Sequence, residues 1–574
     1  MYPVRNLPQG EVVYFNFSLA KEMGLIPKNH PHELNKILEK KILDTFCVQI
    51  INDYDQKKNN FSKEIIDHSN KYMATRYLQL QHNSKTGKTS GDGRSIWNGY
   101  IEYNGKSWDV SSRGTGVTSL APGYVDAGKP IPTGCTSFGY ACGQADLDEL
   151  LGSALMSEIF HRQNLKTERV LTVIKTDHDL GIGVRAAPNL VRPAHIFLHL
   201  KQGNISALTR SIDYLIERQM KNKEWDIQEK GKQKYDSMLS KISAEFAKFA
   251  AHLDTDYIFV WLDWDGDNVL ATGGIIDYGS VRQFGIRHDQ YRYDDVDRFS
   301  TTLNEQKHKA QAIIQVFAQA VDFIKTGRKK PLEVFKAHPE VIRFEQNFEI
   351  FRLERLLYRV GFEQKQSDLL LKKHLHLVQE FDRLYKYFER RKISKEIQKV
   401  PDGINRPALF NMRQMMVAVT SALLSTDLSK LKQKEIEKSL STSFSTFATS
   451  KDKRVSAETR ERFRDLAQRY LYLVNVTAGR RSLKRLLERT HFRSQVINRA
   501  DRITGNGIEY VVEVILEQLD KNLPQKYIQS AIEAFIANQV LLPNKKTCLN
   551  YLRGSSKTVL ESMQAVLLDC KDDL

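Results

Sequence analysis

The sequence predicts an α+β protein, because its N-terminal half has the texture of strands and its second half the texture of helices. From Glu11 to about Val191, short apolar or alternating runs are separated by glycine-bearing turns. After about Ile205, apolar residues recur mostly at helical spacing. An acid-rich strand–loop–strand unit over residues 256–279 interrupts these helices. We predict a strand-rich N-terminal lobe over 1–205, a mainly helical lobe over 206–395 and a further helical region over 396–574.

Individual elements follow from the same patterns. We predict strands at the runs VVYFNF, SIWNGYIEY, RVLTVI and HIFLHL. Residues 144–162 carry leucines on one stripe and predict a helix, and residues 304–325 predict another that ends at Gly327. From about Lys392 onward the pattern predicts helices only.

The composition excludes several classes of protein. With 574 residues, 41% hydrophobic and 27% charged, the chain is neither collagen-like nor wholly disordered. Its five cysteines form no C-x-x-C pair, so we expect neither a disulfide framework nor a structural zinc site. No apolar run reaches about 18 residues and no signal-peptide pattern opens the chain, so we expect a cytoplasmic protein without a membrane partner.

Positive charge is concentrated in one segment. Residues 451–500 hold 14 Lys and Arg against 5 Asp and Glu, a net +9 out of the chain's +17. Such a segment can serve nucleic acid, an acidic protein or an anionic membrane surface. Because the leucines of RRSLKRLLER recur at helical spacing, a solvated basic helix face is the simpler interpretation.

Two segments could bind phosphate. In Gly91-Asp92-Gly93-Arg94, the glycines allow backbone N–H groups to approach an anion and the arginine can fork onto its oxygens, although a turn between strands explains the motif equally well. Arg185 and Arg192 flank a segment in which Pro188 disfavours a continuous helix. An extended or turning segment would let both arginines converge on one anion, and surface salt bridges are the alternative.

The acid-rich unit is a candidate metal site. A calcium loop would need Gly and Glu where Asn268 and Gly274 stand, so that interpretation fails. Asp267 and Asn268 lie at one end of a predicted hairpin and Asp277 at the other, which could gather three oxygen ligands around Mg²⁺ beside phosphates. Solvent-facing turn acids are the alternative.

Together these segments resemble the selenoprotein O family, protein-kinase-like pseudokinases that move AMP from ATP onto protein hydroxyls. The resemblance covers roughly residues 10–395. It rests on these segments: GDGR (91–94), WDVSSRGTGVT (108–118), Ser157-Glu158, RAAPNLVR (185–192) and DNVLATGGIIDYG (267–279). The spacing of ten between Asp267 and Asp277, following the double-arginine segment, is the most specific part.

The resemblance implies a role for each matching residue. Asp267 matches the family's proton acceptor, while Asn268 and Asp277 match its metal ligands. The ATP-binding groups match these residues: Gly91, Gly93, Arg94, Arg113, Gly143, Arg185, Arg192 and Asp277. The implied cofactors are ATP and Mg²⁺ or Mn²⁺, and the implied partners are proteins that offer hydroxyl side chains.

The chain departs from the family pattern around the predicted helix. Arg113 stands where the family has a lysine. If Ser157-Glu158 sets the register, Ser153 replaces the carboxylate partner of that lysine, and Cys142 replaces an aspartate before Gly143. What the resemblance implies is a kinase-like protein adenylyltransferase, here with a helical C-terminal region. A catalytically silent ATP-binding scaffold and a nucleic-acid-binding module over 440–540 are the alternatives.

Overall fold

The computed structural model describes most of the chain. The described residues are 1–59, 61, 66–74, 77–79, 88–90, 93–138, 142–177, 179–260, 262, 266–279, 281–288, 290–292, 300–395, 398–400, 403–425, 433–479, 481–540 and 552–572. They combine a large antiparallel sheet with many helices, which confirms the α+β class.

One sheet of eight strands dominates the described part of the N-terminal half. Its order is β2-β9-β10-β8-β7-β4-β1-β3, and every adjacent pair is antiparallel. The strands are β1 (Tyr2–Asn6), β2 (Glu11–Phe15), β3 (Val48–Ile50), β4 (Ile66–Ala74), β7 (Ser95–Tyr103), β8 (Lys106–Arg113), β9 (Arg169–Lys175) and β10 (Gly181–Ala187).

The remaining strands form short two-stranded pairs. They are β5 (Tyr77–Gln79) with β6 (Lys88–Ser90), β11 (Ile258–Phe259) with β14 (Arg282–Gln283), β12 (Val269–Leu270) with β13 (Gly274–Ile275), β15 (Gln290–Arg292) with β16 (Ser300–Thr302), and β17 (Gln398–Val400) with β18 (Gly403–Asn405).

Helices fill most of the rest of the described chain. Up to residue 256 they are α1 (Phe17–Glu22), α2 (Lys36–Phe46), α3 (Asp53–Lys58), α4 (Pro122–Ala127), α5 (Leu147–Arg162), α6 (Pro193–Lys201), α7 (Ile205–Lys221) and α8 (Gln233–Asp256). Beyond it are α9 (Leu303–Thr326), a 3₁₀ turn (Leu332–Phe335), α10 (Pro339–Arg359), α11 (Gln364–Lys373), α12 (Leu375–Glu389), α13 (Met412–Ser425), α14 (Gln433–Ser441), α15 (Ala457–Val476), α16 (Leu483–Ile497), α17 (Gly507–Asp520), α18 (Gln525–Gln539) and α19 (Ser555–Asp569). None of these described helices is long and apolar enough to cross a membrane.

Three sequence predictions about these elements were wrong. The run HIFLHL lies in helix α6, because Pro193 occupies a first-turn position where proline favours a helix start. The first apolar run of the acid-rich unit does not pair with the second: β11 pairs with β14, and the hairpin is the shorter unit of β12 and β13. The region after Lys392 is not purely helical, since it contains the β17–β18 hairpin.

The C-terminal helices complete the main hydrophobic core. One buried cluster joins side chains from the sheet, from α5 to α10 and from α17 to α19, including Val173, Leu151, Phe317, Val511 and Met563. A second cluster joins α10 to α16. The predicted boundaries at residues 205 and 395 stay a prediction.

Helix α18 also covers an edge of the sheet. The Gln529 side chain accepts a hydrogen bond from the backbone N–H of Phe15 at 3.2 Å and donates to its carbonyl at 2.9 Å. Strand β2, which ends at Phe15, is the outermost strand of the sheet on that side. The amide thereby pairs with backbone groups that an edge strand would otherwise expose.

Candidate functional site

The predicted arginines and acids meet where the sheet, the start of α5 and the β12–β13 hairpin converge. Each of the four predicted arginines contacts at least one carboxylate. The arginines are Arg94, Arg113, Arg185 and Arg192, and their carboxylate partners are Glu149, Glu168, Asp267 and Asp277. Four guanidinium groups thus face four carboxyl groups within one cluster.

Glu149 joins two of the arginines to α5. Arg94, just before β7, donates two hydrogen bonds of 3.0 and 2.8 Å to the Glu149 carboxylate. Arg113, at the end of β8, donates one to the same carboxylate at 3.2 Å. Glu149 lies in the first turn of α5, where the helix dipole favours a negative charge. Despite burial, which acts in the opposite direction, Glu149 raises the pKa of Arg94. Both arginines are therefore held as cations against the start of this helix.

Glu168 is the buried centre of the cluster. Its side chain is fully buried and accepts hydrogen bonds from Arg113 at 2.8 Å and from Arg185 at 3.2 Å. Arg113 pairs with Gly183 across β8 and β10, so Arg185, two residues further along, points to the same face of the sheet. Glu168 also accepts a hydrogen bond from the backbone N–H of Asp277 at 3.1 Å. One carboxylate therefore links two strands of the sheet to the hairpin.

The hairpin is fixed to the sheet by backbone pairing. Glu168 donates its N–H to the carbonyl of Ile275 at 2.9 Å, and Ile275 donates to that of Lys166 at 3.0 Å. This pairing places Asp277, two residues beyond Ile275, against Arg113, whose Nη1 lies 3.3 Å from its Oδ1. Asp277 has a backbone φ of +83°, a left-handed conformation that is uncommon outside glycine and concentrates at functional sites.

Asp277 is held ionised. Burial alone would raise its pKa, but Arg113 first, followed by Arg94, Arg192 and Arg185, lowers the pKa of Asp277 to about 2. Its side chain nevertheless keeps 35% of its surface exposed. An anionic oxygen is therefore available to a ligand at this position.

Asp267 and Asn268 lie at the same open end of the hairpin as Asp277. Val269 pairs with Ile275 at the end of the hairpin, so the residues just before Val269 and just after Ile275 lie at the same end of the two strands. The buried Asp267 accepts a hydrogen bond from Arg192 at 2.6 Å, and Asn268 is half-buried. Arg192 is the N-cap residue of α6, which confirms that the segment from Arg185 turns before a helix begins.

The predicted glycines shape the backbone around Arg94. Gly91 lies outside the described residues. Gly93 has a φ of +73°, and a Cβ there would lie 2.3 Å from Ala121. Gly143 has a φ of +89°, and a Cβ there would lie 2.1 Å from the Val117 nitrogen. Both positions therefore require glycine for close backbone packing.

A cleft of about 920 Å³ opens beside the cluster. Arg185, Arg192 and Ile276 lie along it, together with Trp97 and Ser111 of the sheet. Its other lining residues include Leu190, Val191, His195 and Tyr214, from α6, α7 and the segment before them. The cleft therefore runs between the sheet and these helices, and three arginines line it, the third being Arg210 of α7.

The expected absence of a helix carboxylate was wrong. Ser153 is buried, but Glu149, one turn earlier on α5, supplies the carboxylate for Arg113. The alignment that set Ser153 opposite Arg113 took Glu158 as its reference. Glu158 does not contact Arg113; it accepts hydrogen bonds from Arg169 at 2.9 Å and from Asn16 at 2.9 Å. Although burial opposes it, Arg169 leads the interactions that lower the pKa of Glu158 to about 2.

Sequence reasoning missed Glu149 and Glu168 as members of the site. An acidic residue in the first turn of the predicted helix was a usable signal for Glu149. The position of Glu168 depends on strand pairing between distant segments, which no local motif indicates. The Cys142 Sγ donates a weak hydrogen bond to the side chain of Gln144 at 3.8 Å, and the backbone carbonyl of Gln144 accepts one from Arg94 at 3.3 Å.

Comparisons with known proteins find relatives of one kind. Protein nucleotidyltransferase YdiU of Shewanella loihica is 23% identical over 333 residues, which cover 54% of this chain and 63% of the relative. The similarity is to protein nucleotidyltransferases. The YdiU protein of Pelagibacter ubique is 24% identical over 363 residues, which cover 60% of this chain and 68% of the relative.

YdiU proteins represent the selenoprotein O family in bacteria, so the resemblance drawn from the motifs is confirmed. A third YdiU relative, from Clostridium botulinum, is 26% identical over 216 residues. The chain spans less than two thirds of the length of the Shewanella YdiU protein. No family model matches the chain.

Proposed function

We propose that this chain is a protein adenylyltransferase, which transfers AMP from ATP to hydroxyl side chains of proteins and releases pyrophosphate. The arginine–carboxylate cluster beside the cleft is the observation that carries the proposal. The names of the YdiU relatives support the same class of reaction.

We also propose a protein-kinase-like arrangement of two lobes around the cleft. The sheet and α5 would form one lobe, and helices α6 to α10 with the hairpin would form the other. Helices α17 and α18 pack against α5, on the side of the first lobe. Residues 188–191 connect them, and two contacts hold this connection: Leu190 donates its N–H to Asp109 at 3.0 Å, and Arg218 donates to the carbonyl of Pro188 at 2.9 Å.

In this proposal the cleft takes the nucleoside and the arginines take the phosphates. Forked guanidinium groups suit phosphate oxygens, and Arg185 and Arg192 already line the cleft. Because the cluster has as many carboxyl groups as guanidinium groups, the site has little net charge with which to attract a bare polyanion. ATP would therefore bind together with a divalent cation that neutralises part of its charge.

The residues present fit such a cation. Asn268 and Asp277 would hold it with an amide oxygen and an ionised carboxylate, the hard donors that Mg²⁺ and Mn²⁺ accept alongside phosphate oxygens. When bound, the metal supplies electrostatic stabilisation of the charge that develops on the phosphates.

In this proposal Asp267 is the proton acceptor. It would take the proton of the incoming hydroxyl, whose oxygen forms a bond to the α-phosphorus. The bond between that phosphorus and the oxygen bridging to the β-phosphate breaks, and pyrophosphate leaves. Arg192, 2.6 Å from Asp267, fixes the direction of this carboxylate. The arginines would enclose the terminal phosphate and leave the α-phosphorus open to attack.

The test compares two labelled forms of ATP. With Mg²⁺ and a protein acceptor, label at the α-phosphorus should become attached to protein, whereas label at the γ-phosphorus should leave in pyrophosphate. Asp267→Asn should abolish the attachment. Asp148→Asn, which removes an exposed acid next to Glu149, is the matched control and should keep it.

Two results would contradict the proposal. Attachment of the γ-label alone would make the chain a kinase. ATP binding without attachment of either label would make it the silent scaffold considered in the sequence analysis, and Arg113→Lys would then be the first variant to assay for recovered transfer.

A further inference from the structure

A second charged cluster lies in the interior, on elements other than those of the candidate site. It forms where the end of α8, the end of α10, the start of α13 and the segment after α16 meet. Every member is at most 8% exposed, and the members are Asp256, Arg355, Arg359, Arg413 and Arg502. Positive charge is thus in clear excess among them.

Asp256 is already engaged by two of the arginines. Arg355 donates to its Oδ2 through Nε at 2.9 Å and Nη2 at 2.5 Å, and the Nε of Arg359 lies 3.8 Å from its Oδ1. Burial would raise the pKa of Asp256, but Arg355 and Arg359 lower it to about 2. Its single negative charge is therefore already shared by Arg355 and Arg359, and little of it is left to balance Arg413 and Arg502.

Arg413 receives little compensation. Its Nη2 donates to the carbonyl of Phe284 at 3.3 Å. Besides Asp256, the acid whose charge acts on it is Asp572, which accepts hydrogen bonds from Asn411 at 2.7 Å and from the N–H of Thr446 at 2.8 Å. Burial first, then Arg359, lowers the pKa of Arg413 to about 10.

Arg502 carries the decisive observation. Its Nη1 donates to the carbonyl of Ile497 at 3.2 Å, but its Nε and Nη2 are buried and have no hydrogen-bond partner among the residues that the structure describes. These two N–H groups lie side by side on one edge of the guanidinium and point in parallel. Through that edge arginine donates bidentate hydrogen bonds to two oxygens of a single oxyanion. Buried donors of a charged group are rarely left unsatisfied, because their desolvation is then uncompensated.

We propose that Arg502, supported by Arg413, binds a phosphate-class oxyanion in the interior of the protein. Two parallel donors match two oxygens of one tetrahedral anion better than a spherical halide. The anion would neutralise part of the excess charge and hold the segment after α16 against α8, α10 and α13. It is either inorganic phosphate or the phosphate group of a larger metabolite, which present the same oxygens.

The first measurement identifies the anion in the full-length protein purified without phosphate. The protein is denatured and filtered, and the filtrate is assayed for inorganic phosphate by colorimetry and for phosphorylated metabolites by mass spectrometry. About one phosphate group per chain supports the proposal, since one fork binds one anion. The chemical form distinguishes the two sources.

The second measurement compares thermal melting in inorganic phosphate and in chloride of equal ionic strength. In anion-stripped wild type, phosphate at about 100 times its Kd should raise Tm by about 2 °C. Arg502→Met should lose this gain, and so should Arg502→Lys, which keeps the charge but lacks the fork. Arg499→Met is the matched control, because Arg499 is paired with Asp501 at 2.9 Å, and it should keep the gain.

A variant of the candidate nucleotide site separates the two phosphate sites. Arg192→Met should keep the gain if the oxyanion binds at Arg502. Retention of the gain in Arg502→Met, or its loss in Arg192→Met alone, would overturn the proposal. So would a wild type that releases no phosphate and melts at the same temperature in both salts.

Discussion

Asp277→Asn separates the chemical role of Asp277 from its contribution to stability. The carboxylate lies 3.3 Å from Arg113 and would be a metal ligand in the proposed reaction. Asparagine has nearly the same shape and tolerates the left-handed backbone that Asp277 adopts at φ +83°. The substitution therefore removes a charge with little change in packing.

The expected loss of stability is small. Lowering the pKa from 3.8 to about 2 corresponds to about 2.4 kcal/mol for a group without solvent screening. Because 35% of the Asp277 side chain is exposed, screening reduces the contribution to about 1 kcal/mol. For 574 residues this is a change in Tm of about 1 °C.

The pH dependence has a definite sign. The pKa of Asp277 is lower in the folded than in the unfolded protein, so its contribution is complete above about pH 4 and disappears as the pH falls toward 2. The difference in the free energy of unfolding between wild type and Asp277→Asn, measured by urea titration, should therefore shrink over that range. A difference that stays constant would contradict the assigned charge.

The effect on transfer should be much larger. Loss of a ligand for the proposed metal should lower Mg²⁺-dependent attachment of the α-label by about 100-fold or more. Asp148→Asn serves as the control with an equal change in charge. Wild-type activity in Asp277→Asn would refute the reasoning, and so would a loss of activity that simply tracks unfolding.

Three further predictions follow from neighbouring contacts. Glu168→Gln should lower the free energy of unfolding by about 3 kcal/mol, because it leaves Arg113 and Arg185 without their shared buried charge; an unchanged urea midpoint would contradict this. Arg113→Lys should lower Tm, because one ammonium cannot replace a guanidinium that contacts three carboxylates; an equal or higher Tm would show that the fork is dispensable. In gel shifts the protein should show no sub-micromolar, salt-sensitive binding of nucleic acid. The reason is that basic residues of the 451–500 segment pair with acids elsewhere in the chain, as Arg489 does with Glu363.

Elements with a strong local signal were predictable from the sequence. The helix predicted over 304–325 is Leu303–Thr326, and it ends at Gly327 with a φ of +70°. The turn between Arg185 and Arg192 followed from Pro188. The run HIFLHL was assigned to a strand because a run of six residues, four of them apolar, fits either period. The proline two residues earlier indicated the helix and was overlooked.

The sequence indicated those site residues that lie close together in one motif. Asp267 and Asn268 come just before the paired residues of the β12–β13 hairpin and Asp277 comes just after them, although this hairpin is shorter than the pattern predicted. Glu168 was not predictable, because its place depends on pairing of residues 166–168 with a hairpin more than a hundred positions later. Glu149 was hidden by a register based on Glu158, whose charge serves Arg169 instead.

The contact between Gln529 and Phe15 bears on how the chain can be shortened. A fragment ending near residue 395 would keep every motif of the resemblance but would lose α18, and with it the amide that covers the edge of β2. The uncovered N–H and C=O of Phe15 would then be open to pairing with the same strand of another molecule. The apolar surface that α17 and α19 cover would be exposed as well. We therefore expect such a fragment to aggregate, and loss of transfer in it would report self-association of the fragment and carry no information about where the catalytic residues lie.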